Sequence, residues 1–203
     1  MRACLGRTAI IATIVLAGTS LAACGPAEAP TPPPVTATVG PDAKVSAPEP
    51  APVPAFWPLT GLDAPSDAPI RPALSVKIEN STSARPQTGL DSADIVWEEI
   101  VEGGISRYIA VYHSQVPDII GPVRSVRPMD PNIVAPMGGL FAFSGGQAHY
   151  VAAVEAAGLQ IISSDRGDGG YFRSDQHAAP HNMYANTPEL FAQADAAHST
   201  PPP

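Results

Sequence analysis

Two arginines in the segment GPVRSVRP are the residues of this sequence best suited to recognise an anion. Arg124 and Arg127 lie between two prolines, which restrain the backbone and disfavour a helix. In a three-residue polyproline turn, positions three apart point the same way, so both guanidiniums would lie on one side with Ser125 between them. Such a pair forms a clamp for a carboxylate or a phosphate. The alternative is an internal role, in which the arginines pair with Asp130 or with carboxylates of a neighbouring hairpin.

A β-hairpin is predicted to supply those carboxylates and a third arginine. The stretch ADIVWEEIVEGGISRYIAVYHS contains two β-rich runs around Gly103–Gly104, the residue types of a two-residue turn. That turn would pair Arg107 with Ile100 and place Glu98, Glu102 and Arg107 on one face. Two interpretations stay open: a solvated ladder of ion pairs, or a carboxylate wall of a binding site in which Arg107 orients Glu98 or Glu102.

A glycine-rich turn is predicted within LFAFSGGQAHYVAAVEAAG, which indicates a strand, a turn and a helix in that order. The turn contains Ser144, Gly145 and Gly146, and Gly158 is placed to end the helix. Backbone N–H groups at the start of a helix can bind an anion. The same glycines also serve to pack a strand tightly against its helix, which is the commoner reason for such a turn.

The segment SDQHAAPHNMYAN raises the question of a metal site. Asp175, His177 and His181 are plausible ligand types, but Pro180 makes a shared helical face for the two histidines unfavourable. The sequence therefore favours a polar loop with a hydrogen-bonded His181. His181 and Asn182 are candidate ligand contacts, and no metal site is predicted.

The amino terminus carries the features of an export signal. Arg2 and Arg7 precede the apolar run AIIATIVLAG, and SLAAC then ends at Cys24. The LAAC motif followed by glycine resembles the bacterial lipoprotein signal, so residues 1–23 are expected to be removed and Cys24 to carry a diacylglycerol membrane anchor. Because Cys4 leaves with the signal, we expect no disulfide or catalytic thiol. An ordinary signal peptide with an incidental cysteine is the alternative.

The composition after Cys24 predicts a linker and then one folded domain. The stretch from Gly25 to Pro58 holds 11 of the 25 prolines and few large apolar residues, so 24–55 should be a disordered Pro/Ala-rich linker. Residues 56–198 are enough for one core, and 199–203 should begin a linker to a missing second domain. The fold class expected for 56–198 is α/β (α+β), with a mixed sheet that includes the hairpin and a few packed helices.

The net charge of −8 limits the partners. A negative surface is repelled by nucleic acid and by anionic polymers unless positive charge is concentrated locally. Binding of nucleic acid is therefore disfavoured.

Several motifs together resemble the YerB-like lipoproteins, a bacterial family defined by a domain of unknown function. The motifs are WPLTGL, RPALSVKIENSTSARPQTGLDSADIVWEEIVEGGISRYIAVYHSQ, IGPVRSVRP, FAFSGG and APHNMYA, and they cover most of residues 57–190. The resemblance implies a lipid-anchored protein on the extracytoplasmic side of the cell membrane. It also implies an α/β domain that is normally followed by a second domain. It supplies no reaction.

The order of Asp94 opening a strand, a hairpin, an arginine-bearing segment and then SGG before a helix is similar, at the level of the fold, to the LytR-CpsA-Psr transferases, which move glycopolymers from polyprenyl pyrophosphate carriers. This resemblance implies that Arg107, Arg124 and Arg127 contact pyrophosphate and that Asp94 acts with a divalent metal. The arginine-aspartate dipeptide expected in those enzymes is absent, since proline follows Arg127. Outside this enzyme alternative no cofactor is expected.

The leading hypothesis is a noncatalytic cell-envelope module that binds an anionic or glycan ligand, or a partner protein. Whether the chain is an enzyme stays open at this point. The candidate contact residues are Arg107, Arg124, Ser125, Arg127, Ser144, Gly145, Gly146, Glu98, Glu102, His181 and Asn182.

Overall fold

The computed structural model describes residues 56–203. The predictions of a signal peptide at 1–23, of lipid on Cys24 and of a linker at 24–55 lie outside the described residues. Within the described part, no helix has the length and apolar character needed to cross a bilayer. In the predicted linker start at 199–203, Pro202 is buried.

The described residues form a mixed five-stranded sheet, a smaller antiparallel sheet and three short α-helices, which confirms the predicted fold class. The large sheet has the order β2-β3-β1-β5-β6, and the small sheet has the order β4-β8-β7. The strands are β1 (Leu74–Glu79), β2 (Ile95–Ile100), β3 (Ser106–Tyr112), β4 (Ile119–Ile120), β5 (Leu140–Phe143), β6 (Gln160–Ser163), β7 (Tyr171–Arg173) and β8 (Met183–Asn186). The helices are α1 (Asp130–Val134), α2 (Ala148–Ala156) and α3 (Thr187–Phe191).

Strand β1 lies at the centre of the large sheet, antiparallel to β3 and parallel to β5. Leu74, Val76 and Ile78 enter one apolar core, as their alternation predicts. The same alternation predicts that β1 is half-buried, with its other face exposed, and this prediction was wrong, because the opposite face is also covered and Lys77 and Glu79 are buried there. The central strand therefore carries two charged side chains that must find partners inside the fold.

Helix α2 packs against the face of the sheet that holds these charges. The helical spacing of Tyr150, Val151, Val154 and Ala157 predicts one apolar stripe, and the structure confirms it: Val154 is fully buried in the second apolar core and the other three pack against that core. Gly158 follows the helix with φ of +77°, as expected for a glycine that ends a helix. The sequence NTPELF predicts a helix capped by Thr187, but the cap of α3 is Asn186, whose side chain accepts a hydrogen bond from the Glu189 N–H.

The hairpin is present, but its predicted register was wrong by one residue. The loop contains three residues, Glu102–Gly104, closed by a hydrogen bond of 2.8 Å from the Val101 N–H to the Ile105 carbonyl. Arg107 therefore lies opposite Glu99 instead of Ile100. Because a shift of one residue exchanges the two faces of a strand, Glu98 lies on the face opposite to Arg107.

Candidate functional site

The arginine-bearing segment is extended, as its prolines predict, and it fills the space between β1 and the turn after β5. The Arg124 N–H donates to the Lys77 carbonyl at 2.8 Å, and the Arg124 carbonyl accepts from the Ser144 N–H at 3.0 Å. The Val126 N–H donates to the Gly145 carbonyl at 2.9 Å. The segment is thus bound on both sides by backbone hydrogen bonds, which fixes where its side chains begin.

Arg124 is bound to a buried carboxylate of the protein itself. Its Nη2 donates to Oε1 of Glu79 at 2.9 Å, and its Nε lies 2.8 Å from Oε2 in an ion-pair contact that is not aligned as a hydrogen bond. Oε1 also lies 2.7 Å from the Ser81 hydroxyl and 2.7 Å from Nδ1 of His181. Burial opposes ionisation of Glu79, but its bonds to Arg124, Ser81 and His181 outweigh burial and hold its pKa below the ordinary value.

Arg127 pairs with a different carboxylate, at the tip of the hairpin. Its Nε lies 2.8 Å from Oε2 of Glu102, its Nη1 donates to the Val126 carbonyl, and its backbone N–H donates to Asp130 at 2.8 Å. The two arginines therefore do not form one shared clamp. Arg127 thus has the internal pairing with a hairpin carboxylate that the sequence left open as an alternative, whereas Arg124 pairs with Glu79 of β1, a partner that was not predicted.

Arg107 completes the cationic cluster from the sheet. It stands between Glu99 on β2 and Glu79 on β1 in one cross-strand row, and its Nη1 donates to the Ser125 carbonyl at 2.9 Å. Burial, followed by the positive charges of Arg127 and Arg124, lowers the pKa of Arg107 to about 10. Positive charge is thus concentrated around the backbone of Ser125.

Lys77 forms a fully buried ion cluster next to these arginines. Its Nζ lies 2.8 Å from Oδ1 of Asp130 and also contacts Glu99. Burial lowers the pKa of Lys77 to about 8, against the attraction of Asp130, and burial raises the pKa of Asp130. This cluster was not predicted from the sequence. The available signal was the alternation of the polar residues Ser75, Lys77 and Glu79 along β1.

A polar pocket of about 110 Å³ opens beside Arg124. Its second cation is Arg173 on β7, whose Nη1 donates to Oδ1 of Asn182 at 2.6 Å. The Ser164 hydroxyl donates to the Ser144 carbonyl at 2.8 Å and links two of its walls. The lining residues are Val123, Arg124, Ser125, Ser144, Ser164, Asp165, Arg173, Pro180 and Met183.

The pocket brings together only part of the predicted set. Arg124, Ser125 and Ser144 line it, and Asn182 holds Arg173. Gly145 lies against the carboxylate of Asp165, which would collide with any side chain at that position. A carboxylate of the protein itself therefore lies next to the glycine turn.

Other predicted contact residues do not line the polar pocket. Glu98 accepts a 3.4 Å hydrogen bond from Asn80 on the other face of the hairpin, and the Glu102 side chain is 65% exposed at its tip. Gly146 packs against Val126. Asp175 and His177 do not join His181 in a metal site, and no group of three potential ligands occurs within residues 56–203.

Asp94, the acidic residue implied by the transferase resemblance, lies at the opposite end of the hairpin. It accepts hydrogen bonds from the backbone of His113 at 2.6 Å and of Ser114 at 2.8 Å. Its own N–H donates to Val111, four residues along β3 from Arg107, which corresponds to roughly 13 Å of strand. The acidic residue and the arginines therefore do not form one site.

Several residues in and around the polar pocket were not predicted from the sequence. The pocket includes Ser164 and Asp165, which follow β6, and Arg173, which belongs to β7. Glu79, the partner of Arg124, lies 45 positions before it in the sequence. No spacing in the sequence connects these segments. A second and larger cavity of about 490 Å³ was missed as well, and it is lined by Ile70, Arg71, Pro72, Val116, Asp118, Thr187, Pro188, Phe191, Ala194 and Ser199.

Comparison with known proteins identifies the family. The chain belongs to the family described as "Protein of unknown function (DUF3048) N-terminal domain", which matches residues 59–200. It is 35% identical over 130 residues to a Bacillus subtilis (strain 168) protein described as "Putative lipoprotein YerB", covering 64% of this chain and 39% of that protein. These matches confirm the resemblance to the YerB-like family.

A solved structure gives the same result for the fold. The crystal structure of the YerB protein from Bacillus subtilis superposes with a TM-score of 0.64 at 29% identity, over 72% of this chain and 53% of that chain. The chain thus spans between about two fifths and about half of the length of the relatives it matches.

Proposed function

We propose that this protein is a lipid-anchored envelope protein whose folded domain binds an anionic group of an envelope glycan without catalysing a reaction. The polar pocket beside Arg124 is the proposed site. Cys24 is the proposed attachment point of the diacylglycerol anchor, and the extracytoplasmic side of the cell membrane is the proposed location. The relative's description as a lipoprotein supports the anchor.

One observation carries the proposal of a ligand site. Two guanidiniums, Arg124 and Arg173, line a small pocket together with serine side chains and one carboxylate. Arginine binds carboxylate and phosphate, while serine hydroxyls and a carboxylate suit the hydroxyl groups of a sugar. A volume of about 110 Å³ suits one charged substituent or part of one sugar unit, not an extended polymer chain.

Both guanidiniums of the pocket are held by side chains of the protein itself. Glu79 fixes the guanidinium of Arg124, and Asn182 fixes that of Arg173. Fixed donors lower the entropic cost of binding. Because Glu79 partly neutralises the charge of Arg124, we expect modest affinity for a small probe.

The test is thermal unfolding of the full chain in a nonionic detergent with four probes: glucuronate, inorganic phosphate, pyrophosphate and glucose. A ligand at 100 times its Kd should add about 2.7 kcal/mol to the free energy of unfolding. We expect at least one anionic probe to raise Tm in a dose-dependent manner and the neutral glucose to have no effect. If no anionic probe shifts Tm, or if glucose shifts it equally, the proposal is wrong.

Two exposed arginines provide a matched pair of variants. Arg173→Ala removes a pocket cation and should weaken binding of the active probe by about tenfold or more. Arg166→Ala removes an arginine that pairs with Glu155 outside the pocket and should leave binding unchanged. Equal affinities of the two variants would contradict the assignment of the pocket.

A further inference from the structure

The larger cavity contains an arginine whose charge no neighbouring side chain of the described chain neutralises by an ion pair. Arg71 lines the cavity, and its Nε and Nη2 donate to the carbonyl oxygens of His113 at 2.8 Å and Ser114 at 3.0 Å. Burial lowers its pKa, and Asp94, bound to the same backbone, opposes that effect from further away. A half-buried cation in contact with two neutral carbonyls favours a counter-ion.

The remaining donors of Arg71 have a defined geometry. A guanidinium has five N–H donors in a planar fork, of which two are used here. The two N–H groups on Nη1 and one on Nη2 remain, and the edge between Nη1 and Nη2 presents two parallel donors. That edge matches the two oxygens of a carboxylate.

Aromatic rings restrict the orientation of this guanidinium. Its central carbon lies 5.9 Å from the ring centroid of Trp57 and 5.9 Å from that of Phe191, both within the range of a cation–π contact. The donor edge is therefore oriented before any ligand arrives, which favours binding.

The rest of the cavity is mostly apolar. Ile70, Pro72, Val116, Phe191 and Ala194 contribute side chains to its lining, and its volume of about 490 Å³ lies within the range of small-molecule sites. Its charged groups besides Arg71 are limited to Asp118. An occupant should combine an apolar body with one anionic head.

We infer that the cavity beside Arg71 binds a small amphiphilic carboxylate, with the carboxylate on Arg71 and the apolar body against Phe191 and Val116. This site is separate from the polar pocket. Arg71 is bound to the end of β3 at His113, whereas the pocket lies at the end that carries Arg107, roughly 20 Å of strand away. The two inferences can therefore fail independently.

The experiment is a titration of the full chain in nonionic detergent with phenylbutyrate, its neutral amide and phenylbutylamine. The three probes share an apolar body but partition differently into detergent, so each Kd is expressed against the free probe concentration measured in detergent without protein. We expect saturable binding of phenylbutyrate and Kd values at least about tenfold weaker for the other two. Equal binding of the acid and the amide would overturn the inference, and so would preference for the amine.

Variants that retain Arg71 make the test independent of its structural role. Ala194→Trp fills the cavity and should abolish binding of phenylbutyrate, whereas Ala153→Trp on the exposed side of α2 should not affect it. Asp118→Asn removes the negative charge that faces the ligand and should tighten binding. If Ala194→Trp binds as the unaltered chain does, or if Asp118→Asn weakens binding, the inference is wrong.

Discussion

At the scale of the residue, Glu79 rather than the arginine pair organises the candidate site. The sequence predicts that the segment around Arg124 is not helical, since the flanking prolines disfavour a helix, and the structure holds this segment by backbone hydrogen bonds on both sides. It does not predict the partner of Arg124, because Glu79 comes from a strand whose alternation suggests only one buried face. Burial of the second face depends on α1 and α2, and no local pattern in β1 reveals them.

Replacement of Glu79 by glutamine should lower the free energy of unfolding and make it less dependent on pH. The pKa of Glu79 is held below its ordinary value, so its contribution to stability is present above the unfolded pKa and is lost as pH falls through the folded pKa. We expect Glu79→Gln to cost about 3 kcal/mol near neutral pH, because Arg124 loses its buried partner. Urea unfolding from about pH 7 to about pH 3 should show a shallower acid loss in the variant.

The control for this prediction is Glu98→Gln, which makes the same change on an exposed side chain. Its effect on stability should stay within about 0.5 kcal/mol. If both variants behave alike across the pH range, Glu79 is not the organising carboxylate.

Lys77 should be indispensable to the fold for a related reason. Lys77→Met leaves Glu99 and Asp130 buried without their cation, so we expect a loss of about 3–5 kcal/mol. Adding Asp130→Asn to Lys77→Met should recover part of that loss, which a double-mutant cycle in urea would measure. Strictly additive effects of the two substitutions would contradict the buried ion cluster.

At the scale of the element, the sequence predicts which strands and helices are present, but it does not predict the register in which the two strands of the hairpin pair. The hairpin, the strand before the glycine turn and α2 all follow from periodicity and from the position of glycines. The register depends on whether the loop holds two residues or three, and the sequence VEGGIS allows both. One additional loop residue moved Glu99, instead of Ile100, to the position opposite Arg107.

Glycine should be required in the hairpin loop because of its backbone and not because of its size. Gly103 and Gly104 have φ of +74° and +70°, and a Cβ at either position would meet no atom within 4 Å. We expect Gly103→Ala to cost about 1 kcal/mol, measured by urea unfolding. Gly169→Ala is the control, since Gly169 is equally uncrowded but has no positive φ in the left-handed range. Similar losses for both would contradict the loop conformation.

At the scale of the whole molecule, the fold class was predictable and the pocket was not. The fold class follows from alternating strand and helix signals that are each local. The pocket is assembled from the arginine segment, the turn after β5, the residues after β6, and β7 and β8 with the loop between them. Those segments meet only through the packing of two sheets, so no sequence motif predicts that Arg173 and Ser164 line the pocket.

The amino terminus should attach the protein to a membrane through one atom, the sulfur of Cys24. We expect the unaltered chain, expressed in a bacterium, to partition into the detergent phase and to incorporate labelled palmitate. Cys24→Ser should do neither, because a diacylglycerol anchor requires the thiol. Incorporation of label by the serine variant would contradict the proposed anchor, and so would an unlabelled unaltered chain.

The most direct test of the proposed function is a titration followed by NMR of the isotopically labelled full chain in nonionic detergent, with the anionic probe that raises Tm and then with glucose. We predict saturable shifts for the backbone N–H groups of Arg124, Ser125, Ser144, Ser164 and Arg173 with the anionic probe, and none with glucose. Shifts scattered over the surface, or shifts that glucose reproduces, would contradict a specific anion site in the polar pocket.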